Sequence, residues 1–254
     1  MTAPLIFDIK RATTADGPGL RTAVFFKGCN LRCTWCHNPE GQRAAAELAV
    51  FREKCIGCGA CRTACATPEV CSACGACTAC CPTEARRLYG RAYGTDELLD
   101  VIAADQIYYD ATGGGVTFSG GECMLYPAFL AEMAGKCREK GISVAIDTAG
   151  HVPFASFEAV LPYTDLFLYD IKCLDPELHR RGTGVDNRLI LSNLQQLQAR
   201  GKQVLVRIPV IPDFNDGAEL ARIKEYCERH ALTYETLPYH AMGESKARAL
   251  SHRT

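Results

Sequence analysis

The stretch Gly28-Cys29-Asn30-Leu31-Arg32-Cys33-Thr34-Trp35-Cys36-His37-Asn38-Pro39 carries three cysteines at C-x3-C-x2-C spacing. The apolar run Ala23 to Phe26 precedes it, so the thiols fall on a loop behind a buried strand and can converge on one inorganic centre. Three is the informative count. A four-iron cubane takes four ligands, and a loop that supplies three thiolates leaves one iron open to a group that is not protein, much as catalytic metal sites keep an open position. A structural zinc site with His37 as fourth ligand, or buried unligated cysteines, are the other readings of this spacing.

A second set of thiols follows. Cys55-x2-Cys58-x2-Cys61-x3-Cys65 precedes Cys71-x2-Cys74-x2-Cys77-x3-Cys81-Pro82, an internal repeat of the bacterial ferredoxin run, in which the fourth cysteine ligates the other cluster. On that rule Cys55, Cys58, Cys61 and Cys81 hold one [4Fe–4S] cluster, and Cys71, Cys74, Cys77 and Cys65 the second. Cys80 is left over. The segment Ala66 to Val70 between the runs is only five residues, so a single cluster with spare thiols, and two tetrathiolate zinc sites, also fit the pattern.

Composition narrows the classes. The chain has 254 residues, 48% of them hydrophobic, enough for one sizeable core or a core with a small insert. A net charge of -1 and a pI near 6.6 give no electrostatic case for nucleic acid. No apolar run approaches the ~18 residues of a membrane span, and Met1-Thr2-Ala3-Pro4 opens without a basic segment and apolar stretch of a signal peptide. The expected compartment is the cytoplasm. Twelve of the sixteen cysteines lie between Cys29 and Cys81 at ligand spacings, which reads as metal ligation in a reducing compartment rather than a disulfide scaffold.

The elements that must position these groups alternate. Ile6 to Arg21 reads as a loop-forming segment with a strong turn at Asp16-Gly17-Pro18-Gly19. Thr22 to Lys27 is a first buried strand. Beyond the cysteine repeat, a helix over Thr95 to Tyr109, with Thr95 as N-cap, starts a rhythm of strands (Gly115 to Phe118, Ser143 to Asp147, Leu166 to Tyr169, Gln203 to Ile208, Leu232 to Leu237) and helices (Tyr126 to Lys140, Phe154 to Val160, Asp186 to Arg200, Asp216 to His230). Counting the first strand gives six units, an α/β fold built as an open partial (β/α)6 barrel of parallel strands. Residues 1–50 and 90–254 form the barrel and residues 51–89 an inserted ferredoxin-like iron–sulfur domain. The polar groups Gly120, Gly121, Glu122, Asp147, Asp170, Lys172 and Arg207 fall where strands end, the face on which such folds place their chemistry.

Cys29-x3-Cys33-x2-Cys36 with Trp35 before the third cysteine resembles the cluster loop of radical S-adenosylmethionine (SAM) enzymes. Asp16-Gly17-Pro18-Gly19-Leu20-Arg21, Phe25-Phe26-Lys27-Gly28-Cys29 and Cys36-His37-Asn38-Pro39-Glu40 resemble, more narrowly, the activating enzymes of glycyl radical enzymes. The motifs Gly120-Gly121-Glu122, Asp170-Ile171-Lys172, Thr183-Gly184-Val185-Asp186-Asn187, Arg207-Ile208-Pro209-Val210-Ile211-Pro212 and Leu237-Pro238-Tyr239-His240 complete the match in order, with Cys123 where a proline commonly follows Gly-Gly-Glu. The chain stops fourteen residues beyond His240, so the terminal helical segment of some relatives is expected to be shortened or absent.

The resemblance implies an oxidoreductase whose open iron is chelated by SAM, with Cys29, Cys33, Cys36 and Lys172 as its catalytic residues. Gly120, Gly121 and Glu122 would meet the methionine amino group, and Lys172 and Asp170 would lie near SAM. Trp35, Cys36, His37, Ile171, Arg207 and His240 would complete the SAM surface, and Asp147, Thr148 and Asp170 would surround a monovalent cation. It further implies a 5′-deoxyadenosyl radical that takes hydrogen from a glycine Cα of a partner glycyl radical enzyme, with Asp16 near the partner peptide and electrons entering from flavodoxin or ferredoxin. Two rivals remain: a radical SAM enzyme acting on another peptide or small molecule, and a non-catalytic iron–sulfur electron carrier.

Overall fold

The computed structural model describes residues 3–67 and 71–251; of the short segment between the two cysteine runs, residues 68–70 lie outside the described residues. In chain order the first elements are β1 (Leu5–Thr13), β2 (Arg21–Phe26), β3 (Glu47–Val50), α1 (Ala60–Thr63), α2 (Ala76–Ala79), β4 (Arg86–Tyr89) and β5 (Arg91–Ala92). Then follow α3 (Thr95–Ala103), α4 (Gln106–Thr112), β6 (Gly115–Gly120), α5 (Pro127–Glu139), β7 (Ser143–Thr148), α6 (Phe154–Val160) and β8 (Leu166–Asp170). The last are α7 (Pro176–Thr183), α8 (Arg188–Ala199), β9 (Val204–Val210), α9 (Ala218–Arg229), β10 (Thr233–Pro238) and α10 (Met242–Ser251).

One sheet of eight strands, ordered β10-β9-β8-β7-β6-β2-β1-β5, organises the chain. Its six strands from β2 to β10 pair in parallel, in agreement with the six-unit count, and β1 and β5 extend it antiparallel at one edge. The strands alternate with period two. Val24 and Phe26, Val116 and Phe118, Val144 and Ile146, Phe167 and Tyr169, and Val206 and Ile208 all enter one core beneath the helices. Their neighbours in the strands (Phe25, Ser119, Asp147, Asp170 and Arg207) turn to the opposite face and line a cavity at the C-terminal strand ends. Among the described residues no helix is long and apolar enough to cross a membrane.

Several expectations are corrected. Ile6 to Arg21 is not all loop, because Leu5–Thr13 forms β1, whose inward Ile6 and Phe7 are buried while its far end is exposed. The helix expected over Thr95 to Tyr109 is two, broken where the buried Asp105 carboxylate accepts from Thr22 Oγ1 at 2.6 Å and from the Arg11 guanidinium. Gly94, not Thr95, is the N-cap of α3; the Thr95 hydroxyl donates to Glu132 instead. Of the two expectations for the terminal segment, absence is ruled out by the ten-residue α10, and α7 was not anticipated.

The turn at Asp16-Gly17-Pro18-Gly19 closes the lower end of the sheet. Gly19 has φ +73°, and a Cβ there would lie 2.5 Å from the Gly114 nitrogen, so only glycine fits. Arg21 is buried and donates to Thr117 Oγ1 at 2.7 Å and to the Val116 carbonyl at 2.6 Å. Between β3 and β4, which pair antiparallel, lie both ferredoxin-like runs. Their short helices α1 and α2 pack on each other, and each starts at a left-handed glycine, Gly59 (φ +77°) and Gly75 (φ +80°).

Candidate active site

The cluster loop is fastened at its root by backbone. Gly28 N–H donates to the Gly41 carbonyl at 2.8 Å, Cys29 N–H to Gln42 at 3.1 Å, Gly121 N–H to Phe26 at 2.8 Å and Glu122 N–H to Gly28 at 2.8 Å. A Cβ on Gly121 would lie 2.3 Å from both the Gly28 and Gly41 carbonyl oxygens, and one on Gly120 2.1 Å from the Phe26 nitrogen. These glycines are therefore required by strand and loop packing, a role the sequence did not separate from ligand approach. Farther along, Arg32 N–H and Thr34 N–H donate to Thr183 and Gly182 at the end of α7 (2.7 and 2.9 Å), and Trp35 packs on Phe214 with ring centroids 4.2 Å apart.

Cys29, Cys33 and Cys36 line one cavity of about 380 Å³. Burial pushes the Cys29 thiol up to about 12 and the Cys33 thiol, against the charge of Lys172, up to about 11; Cys36 is raised by the same cause. Thiols so placed become thiolates when a cationic centre compensates the charge. Leu31 N–H points at Cys29 Sγ from 3.4 Å, and the Gln42 side chain and Asn38 N–H serve Cys36. N–H groups aimed at sulfur are what cluster thiolates use, so the donor set fits a three-thiolate cluster. Among the described residues, no three His, Cys, Asp or Glu side chains form a group that could hold a single metal ion; in a cubane each thiolate binds a different iron.

Opposite the thiols stands a charged group delivered by β7, β8 and β9. Lys172 Nζ pairs with Asp170 Oδ2. Burial by itself lowers the lysine pKa, but Asp170 and Cys33 outweigh it and the ammonium stays above its ordinary value. Asp147 accepts from Ser119 Oγ at 2.7 Å and faces Arg207 at 3.7 Å; burial, opposed by Arg207 and reinforced by Asp170, pushes it up to about 6. Arg207 also pairs with Glu235 at 3.1 Å and donates to the Ala15 carbonyl at 2.8 Å. At the mouth, the His37 and His240 rings meet edge to face with centroids 4.0 Å apart, and burial, helped by Lys246, His240 and Lys10, holds His37 down to about 4.

Of the residues expected to bind SAM, Trp35, Cys36, His37, Gly120, Gly121, Asp147, Asp170, Lys172, Arg207 and His240 line this cavity, as do Asp16 and Thr148. Ile171 does not; it is buried, with its N–H on the Arg207 carbonyl at 3.0 Å. Glu122 does not either. Its carboxylate ties β6 to β7, accepting from Thr148 Oγ1 at 2.8 Å, Ala149 N–H at 3.0 Å and Met124 N–H at 3.1 Å. Cys123 is buried beside it, its thiol on the Phe118 carbonyl. Sequence reading missed Lys10, over the Phe25 ring at 5.0 Å, and Asn215, whose amide holds the Lys172 and Pro209 carbonyls at 2.8 and 2.7 Å. The alternation of β6 could have revealed Ser119; nothing local marked Lys10 or Asn215.

Burial raises Glu122 from its ordinary 4.5 to about 7. Between these values the folded chain holds a proton that the unfolded chain has released, so stability falls as pH rises through that window. Glu122→Gln is expected to flatten this slope, leaving below about 6 the smaller contribution of Asp147, which the depressed His37 opposes. Urea midpoints of both proteins at pH 5 and pH 7.5 check it, and parallel losses would show that Glu122 is not the titrating group.

A sheet of parallel strands with three loop thiols at its C-terminal end is the architecture of a SAM-cleaving iron–sulfur enzyme. The family model of the Radical SAM superfamily matches residues 23–227, and the chain belongs to that superfamily. It is 38% identical over 271 residues to the (2S)-3-sulfopropanediol dehydratase activating enzyme of Klebsiella oxytoca, covering 97% of this chain and 85% of that one. It is also 37% identical to the trans-4-hydroxy-L-proline dehydratase activating enzyme of Clostridioides difficile (96% and 86%) and 38% identical to the benzylsuccinate synthase activating enzyme of Thauera aromatica (97% and 81%). Within the superfamily it is thus one of the activating enzymes of glycyl radical enzymes. A crystal structure of Streptococcus suis SuiB bound to precursor peptide SuiA shares the fold, with TM-score 0.57 at 12% identity over 89% of this chain and 40% of that one. The electron-carrier reading gives way to these relatives.

Proposed function

We propose that Cys29, Cys33 and Cys36 hold a [4Fe–4S] cluster at which SAM is cleaved, and that the resulting 5′-deoxyadenosyl radical takes hydrogen from a glycine Cα of a partner glycyl radical enzyme. The observation that carries this is the shared cavity: three thiols face the Lys172–Asp170 pair across a space of about 380 Å³. The cluster, when bound, supplies one low-potential electron. With that electron the S–C5′ bond of the sulfonium would cleave to methionine and a C5′ radical, and one hydrogen atom taken from the partner's glycine Cα would give 5′-deoxyadenosine and the glycyl radical.

The chain's own groups bind and orient the substrate. Lys172, kept charged by Asp170, pairs with the SAM carboxylate; the Gly120-Gly121 backbone receives its amino group; His37 and His240 stand where the adenosyl end meets the mouth. Glu122 acts through the β6 and β7 loop ends it joins. The charge of Asp170 helps to raise the Asp147 carboxyl, which supports a monovalent cation among Asp147, Thr148 and Asp170. Residues 51–89 act as a ferredoxin-like relay taking electrons from flavodoxin or ferredoxin. In support, Cys58-Gly59-Ala60-Cys61 and Cys74-Gly75-Ala76-Cys77 repeat one local conformation, and Arg86 lies between Cys61 and Cys77. The working compartment is the cytoplasm.

Reconstituted, reduced protein incubated anaerobically with SAM is expected to yield 5′-deoxyadenosine and methionine, measured by chromatography. With the partner present, an organic radical signal should grow on the partner chain. Absence of SAM turnover by fully loaded protein would falsify the proposal.

A further inference from the structure

We infer that Gly243 and Lys246 of α10 are positioning residues that latch the cluster loop at its third cysteine. This rests on Cys29, Cys33 and Cys36 being the cluster ligands. Three observations on one face of the helix carry it. A Cβ on Gly243 would lie 2.3 Å from the Cys36 carbonyl oxygen and 3.1 Å from His37 Cα, so the helix backbone itself is in contact with the loop at that cysteine. Three residues on, Lys246 Nζ pairs with Glu40 Oε1 at 2.7 Å and donates to Asn38 Oδ1 at 3.1 Å. The Glu40 side chain is only 4% exposed, so this pair is shielded from water. Three residues further, Ala249 is buried with Phe7, Phe25, Ala49 and Tyr89 and anchors the helix to β1, β2 and β3. Residues three apart share a helix face, so anchor, ion pair and backbone contact act together.

The segment they hold has little other support. Between Cys36 and Glu40 the chain forms no regular element until the short 3-10 turn Pro39–Gly41. Glu40 is fixed from both sides: its carbonyl accepts from Lys27 Nζ at 2.5 Å, and its carboxylate takes Lys246. Without the latch, His37 and Asn38 are released, and with them the seat of the Cys36 thiol and the edge-to-face contact with His240. Misplacement on the scale of an ångström is enough to change binding and rate severalfold or more.

The test compares Lys246→Met, Lys246→Arg and Gly243→Ala in the reconstituted full chain, reading the electron paramagnetic resonance spectrum of the reduced cluster as SAM is added. Lys246→Met and Gly243→Ala should need about tenfold more SAM to reach the bound spectrum, whereas Lys246→Arg, which keeps the charge, should stay within about threefold of wild type. The latch is overturned if both Lys246→Met and Gly243→Ala follow the wild-type curve, or if Lys246→Arg is as impaired as Lys246→Met. Should wild type itself show no SAM-dependent spectrum, the ligand assignment has failed. The latch is then judged on amide hydrogen exchange over residues 36–42 of the cluster-free chain: Lys246→Met must speed it about tenfold, and unchanged protection overturns it.

Discussion

Cys33→Ala is expected to lower 5′-deoxyadenosine formation to the level of protein-free controls while leaving the rest of the iron in place. Lys172, the charge proposed for the SAM carboxylate, opposes the effect of burial at Cys33, as it does at Cys36. Loss of Cys33 removes a proposed cluster ligand, and a loop with two thiolates does not hold a cubane. Because the eight cysteines of the two ferredoxin-like runs lie outside this cavity, the variant should lose about four of about twelve irons per chain if both runs are loaded. Iron and sulfide analysis beside the turnover assay checks both halves. Full turnover in the variant sinks the assignment of the loop, and zinc in place of iron at Cys29, Cys33 and Cys36 would do so equally.

Lys27→Met should destabilise the fold by about 3 kcal/mol. Lys27 is fully buried at the end of β2, its ammonium on Glu47 Oε2 at 3.0 Å and on the Glu40 carbonyl. Glu47 belongs to β3, where the cysteine-rich segment departs, so the pair ties that segment to the root of the cluster loop. Methionine fills the volume but takes the closer cation from the buried Glu47 carboxylate, leaving it the largely exposed Arg43 at 3.6 Å. Replacing both partners, Lys27→Met with Glu47→Leu, should recover part of the loss, since the buried carboxylate goes together with the ammonium that stabilised it. Denaturant titration of the three proteins decides it; a single variant as stable as wild type would show that water reaches the carboxylate.

Lys27 and Lys172 mark the limit of what the sequence makes legible. Lys172 stands in an Asp-x-Lys motif after an apolar strand and was assigned a role from that context. Lys27 follows an equally apolar strand, but its partner Glu47 lies twenty residues away across the cluster loop, and no local signal joins them. Glu122 is similar: its motif identified it, yet its partners Thr148 and Ala149 come from the next unit, which turns its carboxylate to bracing the cavity wall. The helix α10 escaped because its contacts are to Cys36 and Glu40, some two hundred residues earlier, while few residues of chain remain to suggest a packed element.

What the residue order determined alone was local and periodic: the cysteine spacings, the number of parallel units, and the strand ends that carry polar motifs. Each depends on the 2.0 and 3.6 residue periods and on turn chemistry, which act within a few residues. Only the tertiary structure decided which polar side chains face the cavity and which brace it, and that β1 and α10 close around the loop. Those choices depend on buried charges finding partners from distant strands, where desolvation makes an unmatched group too costly to keep.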